Sequence, residues 1–467
     1  MMKRVLALFA ALACLCTSAA PPNFIVFLID DLGATDLGCM GSKFYETPNI
    51  DRLAAQGMKF TQAYSACTVC SPTRAALLTG KYPARLHLTD WIAGHSRPTA
   101  KLRVPDWTKQ LPLEEVTVAE ALKPLGYATA QIGKWHLGGA EFYPTKQGFD
   151  LSLGGTDRGQ PPSYFSPYRI ATLPDGPAGE FLTDRESAEA CKFIETNRER
   201  PFFIYLPHHA VHTPLMGKQD VIAKYQKKAA AQPDSPQKNA TYAALVESVD
   251  DSVGRVMKKL DELNLAGRTV ILFTSDNGGL ALNNVTRNLG LRAGKGSAYE
   301  GGVRVPLIVK WPGAVKPGTT CDTPVLTVDY FPTLCELAGV EKTPQLDGES
   351  LVPLLKQTGG LQRDAIFWHY PHYHPGGATP YAAIREGDFK LIQFYEDNRA
   401  ELYNLRADPQ EKTNLAPSDA KRATALSAKL VAWQKSVGAQ FATPNPAHDA
   451  AKEKSGGKTN SKKKTPK

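Results

Sequence analysis

The chain has 467 residues, 42% of them hydrophobic and 22% charged, a balance that suits a folded protein with a sizeable core and excludes a low-complexity chain. The net charge of +9 sits mostly at the ends: Lys3 and Arg4 supply two, residues 447–467 a net five, and the remaining body only +2. A nearly neutral body has no electrostatic footprint for nucleic acid, so no nucleic-acid partner is expected.

In chain order, the first element is a targeting segment. Lys3 and Arg4 precede an apolar run, residues 5–15, too short to span a bilayer, and Thr17-Ser18-Ala19-Ala20 offers small residues for cleavage. Residues 1–20 read as a signal peptide, so the protein is expected to be secreted or periplasmic, with no transmembrane span. A lipid anchor through Cys14 is the alternative, although Ala11-Leu12-Ala13 is a poor lipobox. Next, "NFIVFLIDDLG" (23–33) is an apolar run ending in two carboxylates and a glycine, the pattern of a strand buried on both faces. Helical spacing over 116–125 leads into a second strand in "YATAQIGKWHLGG" (127–139), which ends near Lys134 and His136. "PFFIYLPHHAVHTP" (201–214) is a third, ending in His208, His209 and His212. An amphipathic helix over 242–263 precedes a fourth, "RTVILFTSDNGG" (268–279), which ends in Asp276 and Asn277, and "RVPLIVKWPG" (304–313) is a further strand.

Strands alternating with helices predict an α/β fold over residues 21–360, with a mostly parallel central sheet flanked by helices. From 361 to 442 the pattern changes to short strands, in "AIFWHYPHY", "YAAIREGDFKLIQFYE" and "AELYNL", closed by a helix in "TALSAKLVAWQKSV". This predicts a smaller C-terminal antiparallel α+β subdomain. Residues 443–467 are Lys-rich without apolar periodicity and read as a basic disordered tail, with at most a weak hold on an acidic glycan or membrane surface.

The informative fact is where the polar residues fall. Four apolar strands end in charged or imidazole groups, and open α/β sheets bind ligands outside the carboxyl ends of their strands. Asp30, Asp31, Asp276 and Asn277 offer oxygen ligands that suit a hard cation such as calcium, and the lack of thiolate or imidazole among them argues against zinc. Taken singly, each pair is better read as helix caps and turn residues. Lys134, His136, His209, His212 and Lys295 bring positive charge and proton donors suited to an anionic ester. Each alone would be an ordinary packed or surface side chain, and "AGKGSAYEGG" (293–302) lacks the spacing of a P-loop.

Eight cysteines occur, two of them in the signal segment. The other six, Cys39, Cys67, Cys70, Cys191, Cys321 and Cys335, are too scattered for a disulfide framework, although Cys321 and Cys335 are a possible pair. The stretch "SACTVCSPTRAALLTGK" (65–81) holds Cys67 and Cys70 three apart. A thioredoxin-like dithiol would need a small βαβ setting, and a zinc site would need a second ligand pair; neither is present.

Cys70-Ser71-Pro72-Thr73-Arg74, continued by "AALLTGKYPARL", closely resembles the signature of the formylglycine-dependent type I sulfatases of the alkaline phosphatase superfamily. "IDDLG", "GKWHLGG", "HTP", "SDNGG" and "GKGSAYEGGVRVPLIVKWPG" resemble that family in the same order, over residues 23–415. The resemblance implies that a formylglycine-generating maturation enzyme oxidises Cys70 to formylglycine (3-oxoalanine), whose hydrate is the nucleophile. It implies that Asp30, Asp31, Asp276, Asn277 and residue 70 ligate one calcium ion, and that Arg74 and Lys134 hold the diol. His136 would help collapse the diol after sulfate transfer, while His212 and Lys295 would bind sulfate and assist the leaving alcohol. Thr73 stands where many relatives have Ser or Ala. The family acts on aryl, steroid and sugar sulfates; a secretory signal favours a sulfated carbohydrate, and likeness to the arylsulfatase A and galactosamine-sulfatase branches favours galactose or N-acetylgalactosamine sulfate esters. Segments 87–98 and 368–377 look like recognition loops, which makes Asp90, Trp91, His95, Arg97, His369 and His372 candidates for substrate contact, and His209, at the end of the 201–214 strand, is a further candidate. The competing readings are a phosphonate or phosphate ester hydrolase of the same superfamily, and a glycan-binding pseudoenzyme, which would need a lost nucleophile or ligand that this chain has kept.

Overall fold

The computed structural model describes residues 21–451. Residues 1–20, the expected signal segment with Cys14, and the tail beyond residue 451 lie outside the described residues. The strands are β1 (Asn23–Ile29), β2 (Met58–Tyr64), β3 (Leu102–Arg103), β4 (Ala128–Ile132), β5 (Leu151–Leu153), β6 (Phe202–His208), β7 (Thr269–Ser275), β8 (Arg304–Lys310), β9 (Thr319–Cys321) and β10 (Val325–Leu326). All but β3 form one sheet, ordered β10-β2-β8-β7-β1-β6-β4-β5, with β9 alongside β2. Its ladders are parallel except where β8 runs antiparallel between β7 and β2.

β1, β6 and β7 are buried along their whole length, because helices cover both faces. Alternate residues of β1 serve opposite cores. Ile25, Phe27 and Ile29 pack with Leu182 and Ile194 of the helix Leu182–Thr196 and with Leu245 and Val249 of the helix Ala240–Glu262. Phe24, Val26 and Leu28 pack with Leu77 and Leu78 of the helix Cys70–Thr79 and with Phe331 and Leu334 of the helix Tyr330–Ala338.

Register places the chemistry. Ile29 lies opposite both His208 and Ser275, so Asp30, His209 and Asp276 emerge side by side at the same sheet edge. β4 joins them through Gly133, which holds φ 119° with the Lys134 amide donating to Pro207 O at 2.7 Å. A Cβ at Gly133 would sit 2.1 Å from that same Pro207 oxygen, so only glycine lets β4 close on β6 here.

The C-terminal part is an antiparallel meander, β11 (Ala365–Tyr370), β12 (Tyr381–Glu386), β13 (Phe389–Phe394) and β14 (Ala400–Asn404), covered by the helix Ala420–Ser436. Phe367 stacks on Trp433 of that helix at 4.8 Å. Trp368 Nε1 donates to Ser65 O at 2.8 Å, and Lys390 lies buried between Glu300 (3.0 Å) and Glu411 (3.1 Å), tying the two sheets together.

Two expectations change. The beginning of the tail is ordered structure: β15 (Thr443–Pro444) pairs with β3, and Asn445 Nδ2 donates to Pro98 O (2.9 Å) and Ala100 O (2.7 Å). Composition concealed this, because a two-residue strand with one capping amide has no periodicity. Cys321 and Cys335 are both free, as are the other four described cysteines.

Candidate active site

Cys70 opens the helix Cys70–Thr79, all of whose residues are buried. The side chain of Cys70 reaches a cavity of ≈ 480 Å³ that Asp31, His136, His212 and Lys295 also line. Cys70 Sγ lies 3.3 Å from His136 Nδ1, and His136 Nε2 bonds to the Ile92 carbonyl. His136 (φ 58°) and Asp31 (φ 65°) both hold left-handed backbone conformations that non-glycine residues rarely adopt. Such conformations cluster at functional sites, where surrounding structure enforces them.

Beneath the cavity the charges interlock. Arg74 donates to Asp276 Oδ2 through Nε (3.0 Å) and Nη2 (2.7 Å), and to Lys134 O through Nη1 (3.1 Å). Lys134 Nζ lies 2.6 Å from Asp30 Oδ2, and Lys295 Nζ lies 2.7 Å from Asp31 Oδ1. Asn277 Nδ2 donates to Asp31 Oδ1 at 2.8 Å. Burial pushes the Asp30 carboxyl well above the usual range, against the pull of Lys134. Burial pushes the same way on Asp31 and Asp276, but cations prevail: Lys295 and His212 hold Asp31 low, and Arg74 and Lys134 hold Asp276 low. Burial, helped by Lys134, depresses His136 strongly; burial and Lys295 depress His212 to about 3, so both rings are neutral at pH 7.

Two acceptors stand out. Asp30 Oδ1 and Asn277 Oδ1 are buried and make no hydrogen bond. A buried acceptor without a partner is costly, and a cation between such oxygens removes the cost. Ligand atoms of Asp30, Asp31 and His212 lie within 4.8 Å of one another. An oxygen-rich donor set with orphaned acceptors fits a hard divalent cation.

The structure thus brings Asp30, Asp31, Cys70, Arg74, Lys134, His136, His212, Asp276, Asn277 and Lys295 to one place. The candidates for substrate contact divide. Trp91 lines the cavity. Asp90 is buried beneath it, accepting from Tyr370 OH at 2.7 Å, and burial raises its carboxyl to about 7. His95 is half-buried on the same loop, and Arg97 lies over the Tyr373 ring at 5.1 Å. His369 is buried with Nε2 on Gln440 O (2.7 Å), and His372 is buried with Nε2 on Thr89 Oγ1 (2.8 Å); neither lines the cavity, and His372 braces the segment that leads into the Trp91 loop. His209 lines a neighbouring cavity, with Nδ1 2.6 Å from Glu186 Oε1.

Sequence reasoning passed over His374 and Gln160, which line the same cavity as Cys70, and Glu186. His374 sat inside a flagged segment, but nothing local separates it from His369 and His372. Gln160 and Glu186 carried no signal. Cys67, by contrast, gains a role: its amide donates to Thr73 Oγ1 (3.1 Å) and its carbonyl accepts from the same hydroxyl (3.2 Å), so the turn before Cys70 is braced by Thr73. Burial pushes the Cys67 thiol far up, which leaves it unreactive.

Comparison with known proteins gives one answer. The family model described as Sulfatase matches residues 22–340, and that for the C-terminal part of N-sulphoglucosamine sulphohydrolase matches 294–436. The chain is 34% identical to arylsulfatase A of Homo sapiens over 87% of its length and 86% of the relative's. It is 35% identical to N-acetylgalactosamine-6-sulfatase of Sus scrofa over 75% of its length and 68% of the relative's. The solved structure of Ps i-CgsB in complex with k-i-k-neocarrahexaose aligns with a TM-score of 0.76 at 30% identity, over 92% of this chain and 96% of that one.

Proposed function

The chain belongs to the sulfatase family, as a type I sulfatase of the alkaline phosphatase superfamily, and we propose that it releases sulfate from galactose or N-acetylgalactosamine sulfate esters in a saccharide, using formylglycine made from Cys70 and one calcium ion. The observation that carries this is the placement of Cys70 in a cavity above two orphaned buried oxygens, Asp30 Oδ1 and Asn277 Oδ1. The saccharide part draws on relatives named for N-acetylgalactosamine sulfate and on a neighbour solved with a carrahexaose.

Asp30, Asp31, Asp276 and Asn277 would hold the calcium. Hydrated formylglycine supplies an oxygen nucleophile, and calcium supplies positive charge for the sulfate oxygens. The protein's own residues do the rest. Arg74, fixed by Asp276 and the Lys134 carbonyl, and Lys134, fixed by Asp30, form a rigid cationic floor beneath residue 70. His136 is held by Ile92 O and touches the side chain of residue 70, so the neutral ring is placed to take a proton there. Lys295 faces the cavity and, with burial opposed by Asp31, keeps its charge for the ester oxygens. His212, beside Asp31 at 3.6 Å, shares the cavity wall with Lys295; the neutral ring is placed to help bind the sulfate, and the Lys295 ammonium is the donor placed to assist the leaving alcohol.

The protein is proposed to work outside the cytoplasm after signal cleavage. No helix among the described residues is long and apolar enough to cross a membrane. Cys70 is reached only through the cavity and the rest of its helix is buried, which supports a maturation enzyme that acts on the chain before that helix docks. The test is sulfate release from defined sulfated saccharides, with calcium and with chelator, beside mass analysis of the peptide holding residue 70. Active protein with an unmodified thiol refutes the nucleophile, and higher kcat/KM on a phosphonate monoester than on any sulfate ester refutes the reaction class.

A further inference from the structure

The loop over residues 156–162 has a cavity on each side. Gly159 and Gln160 line the catalytic one. Behind the loop lies a second, of ≈ 220 Å³, lined by Tyr143, Asp157, Arg158, Gln160, Arg169 and His209 among others. A shallow depression of ≈ 380 Å³ joins the two over the top: it shares Ile92 and Gly159 with the first and Asp157 and Arg158 with the second. The shared lining residues make the three neighbours along one path leading away from residue 70.

The second cavity is built to receive something negative. Arg158 and Arg169 are exposed, and among the described residues neither guanidinium enters an ion pair or a side-chain hydrogen bond. Asp157 is the one carboxylate lining the cavity, so the two arginines leave it net positive. Arg169 holds φ 57°, with its amide fixed by Asp175 Oδ1. A guanidinium fork matches the paired oxygens of a sulfate or carboxylate.

The inner wall is fixed. His209 is 2% exposed, and its Nδ1 is bonded to Glu186 Oε1 at 2.6 Å. The other Glu186 oxygen holds His208 Nδ1, also at 2.6 Å, and His208 Nε2 is bonded to Ser252 Oγ at 2.8 Å. His209 Nε2 is therefore the ring atom left for a ligand. Tyr164 OH donates to both His209 O (2.6 Å) and His212 O (2.9 Å), so one short segment carries a wall residue of each cavity in a fixed relation.

We propose that this second cavity is a subsite for the adjoining sugar unit of a multiply sulfated saccharide, with that unit's own sulfate held by Arg158 and Arg169 and a hydroxyl meeting His209. The proposal rests on the saccharide reading above and specifies it: the preferred substrate carries sulfate on neighbouring units, one reacting at residue 70 and the other serving as an anchor.

The experiment compares a galactose disaccharide bearing one sulfate with the same disaccharide bearing one on each ring, as substrates for the mature enzyme and for Arg158→Gln, Arg169→Gln and the double variant. Both positions are exposed, so the variants fold. The expected result is that the unaltered enzyme prefers the disulfated sugar, and that the preference falls by roughly tenfold for each guanidinium removed, through KM rather than kcat. His209→Gln is expected to lower kcat/KM on both sugars while leaving their ratio in place. A preference of about one in the unaltered enzyme, or a preference untouched in the double variant, overturns the subsite but not the sulfatase reading. Release from aryl sulfate with none from either sugar overturns the saccharide reading, and the subsite with it.

Discussion

Calcium removal gives the most direct physical test of the proposed metal site, because it reads stability rather than turnover. Asp30 Oδ1, which lies 3.6 Å from the Arg74 guanidinium, and Asn277 Oδ1 are buried acceptors without a hydrogen bond, each costing about 1–3 kcal/mol when left so. A cation that satisfies them binds the folded chain and not the unfolded one, and at a hundredfold excess over its Kd it stabilises by about 2.7 kcal/mol. With an unfolding entropy of about 2.1 cal/mol/K per residue, the roughly 430 described residues unfold with an entropy near 0.9 kcal/mol/K, so the melting temperature should rise by about 3 °C. The assay is thermal unfolding with excess calcium against chelator, repeated on Asn277→Leu. That change keeps the volume but removes one orphaned oxygen and the bond to Asp31. The shift should vanish in the variant. A shift equal in the variant and the parent would place the ion elsewhere and defeat the reasoning; no shift in either would remove the metal from the site altogether.

Cys70→Ala should lower turnover by at least roughly a thousandfold, whereas Cys67→Ala, whose thiol is inert and does not line the cavity that Cys70 lines, should stay within about threefold; equal losses in sulfate release would return the pair to a joint role. Burial depresses His369 to about 4, below its unfolded value near 6.5, so it stabilises fully above pH 6.5 and loses that contribution as pH falls toward 4. Stability should drop over that window with a slope approaching about 1.4 kcal/mol per pH unit, and His369→Gln should flatten the slope by about one proton in denaturant melts at pH 7, 6 and 5. Ending the chain after Gly438 should raise KM for an aryl sulfate, because Asn445 no longer holds Pro98 and Ala100 behind the Trp91 loop; ending it after Ala451 should not, and equal KM values for the two truncations would show that the docked segment does not position that loop.

The legible parts of this protein are those in which one residue's type already constrains its chemistry. β1, β6 and β7 are apolar on both faces and end in carboxylates or imidazoles, so strand, direction and site announce themselves together. β2 did not, because it is half-polar and bulged between Phe60 and Ala63, and β9 and β10 are too short for any pattern. The candidate site divides in the same way. Asp30, Asp276 and Lys134 are unusual where they stand, at the ends of apolar runs. His369 and His372 are unusual too, yet they are buried supports, since an imidazole reads alike in a sequence whether its partner is a substrate or a neighbouring carbonyl. Glu186 is the converse: it lies inside an ordinary amphipathic helix, and only the fold shows its two oxygens divided between His208 and His209. A carboxylate so shared fixes both rings at once, so Glu186→Gln, which has one acceptor oxygen, must release one imidazole or force it into the tautomer that accepts from the amide. If His209 is the ring released, the loss should fall on saccharide KM; if His208, on stability; measuring both on the same variant tells which ring the carboxylate holds for function.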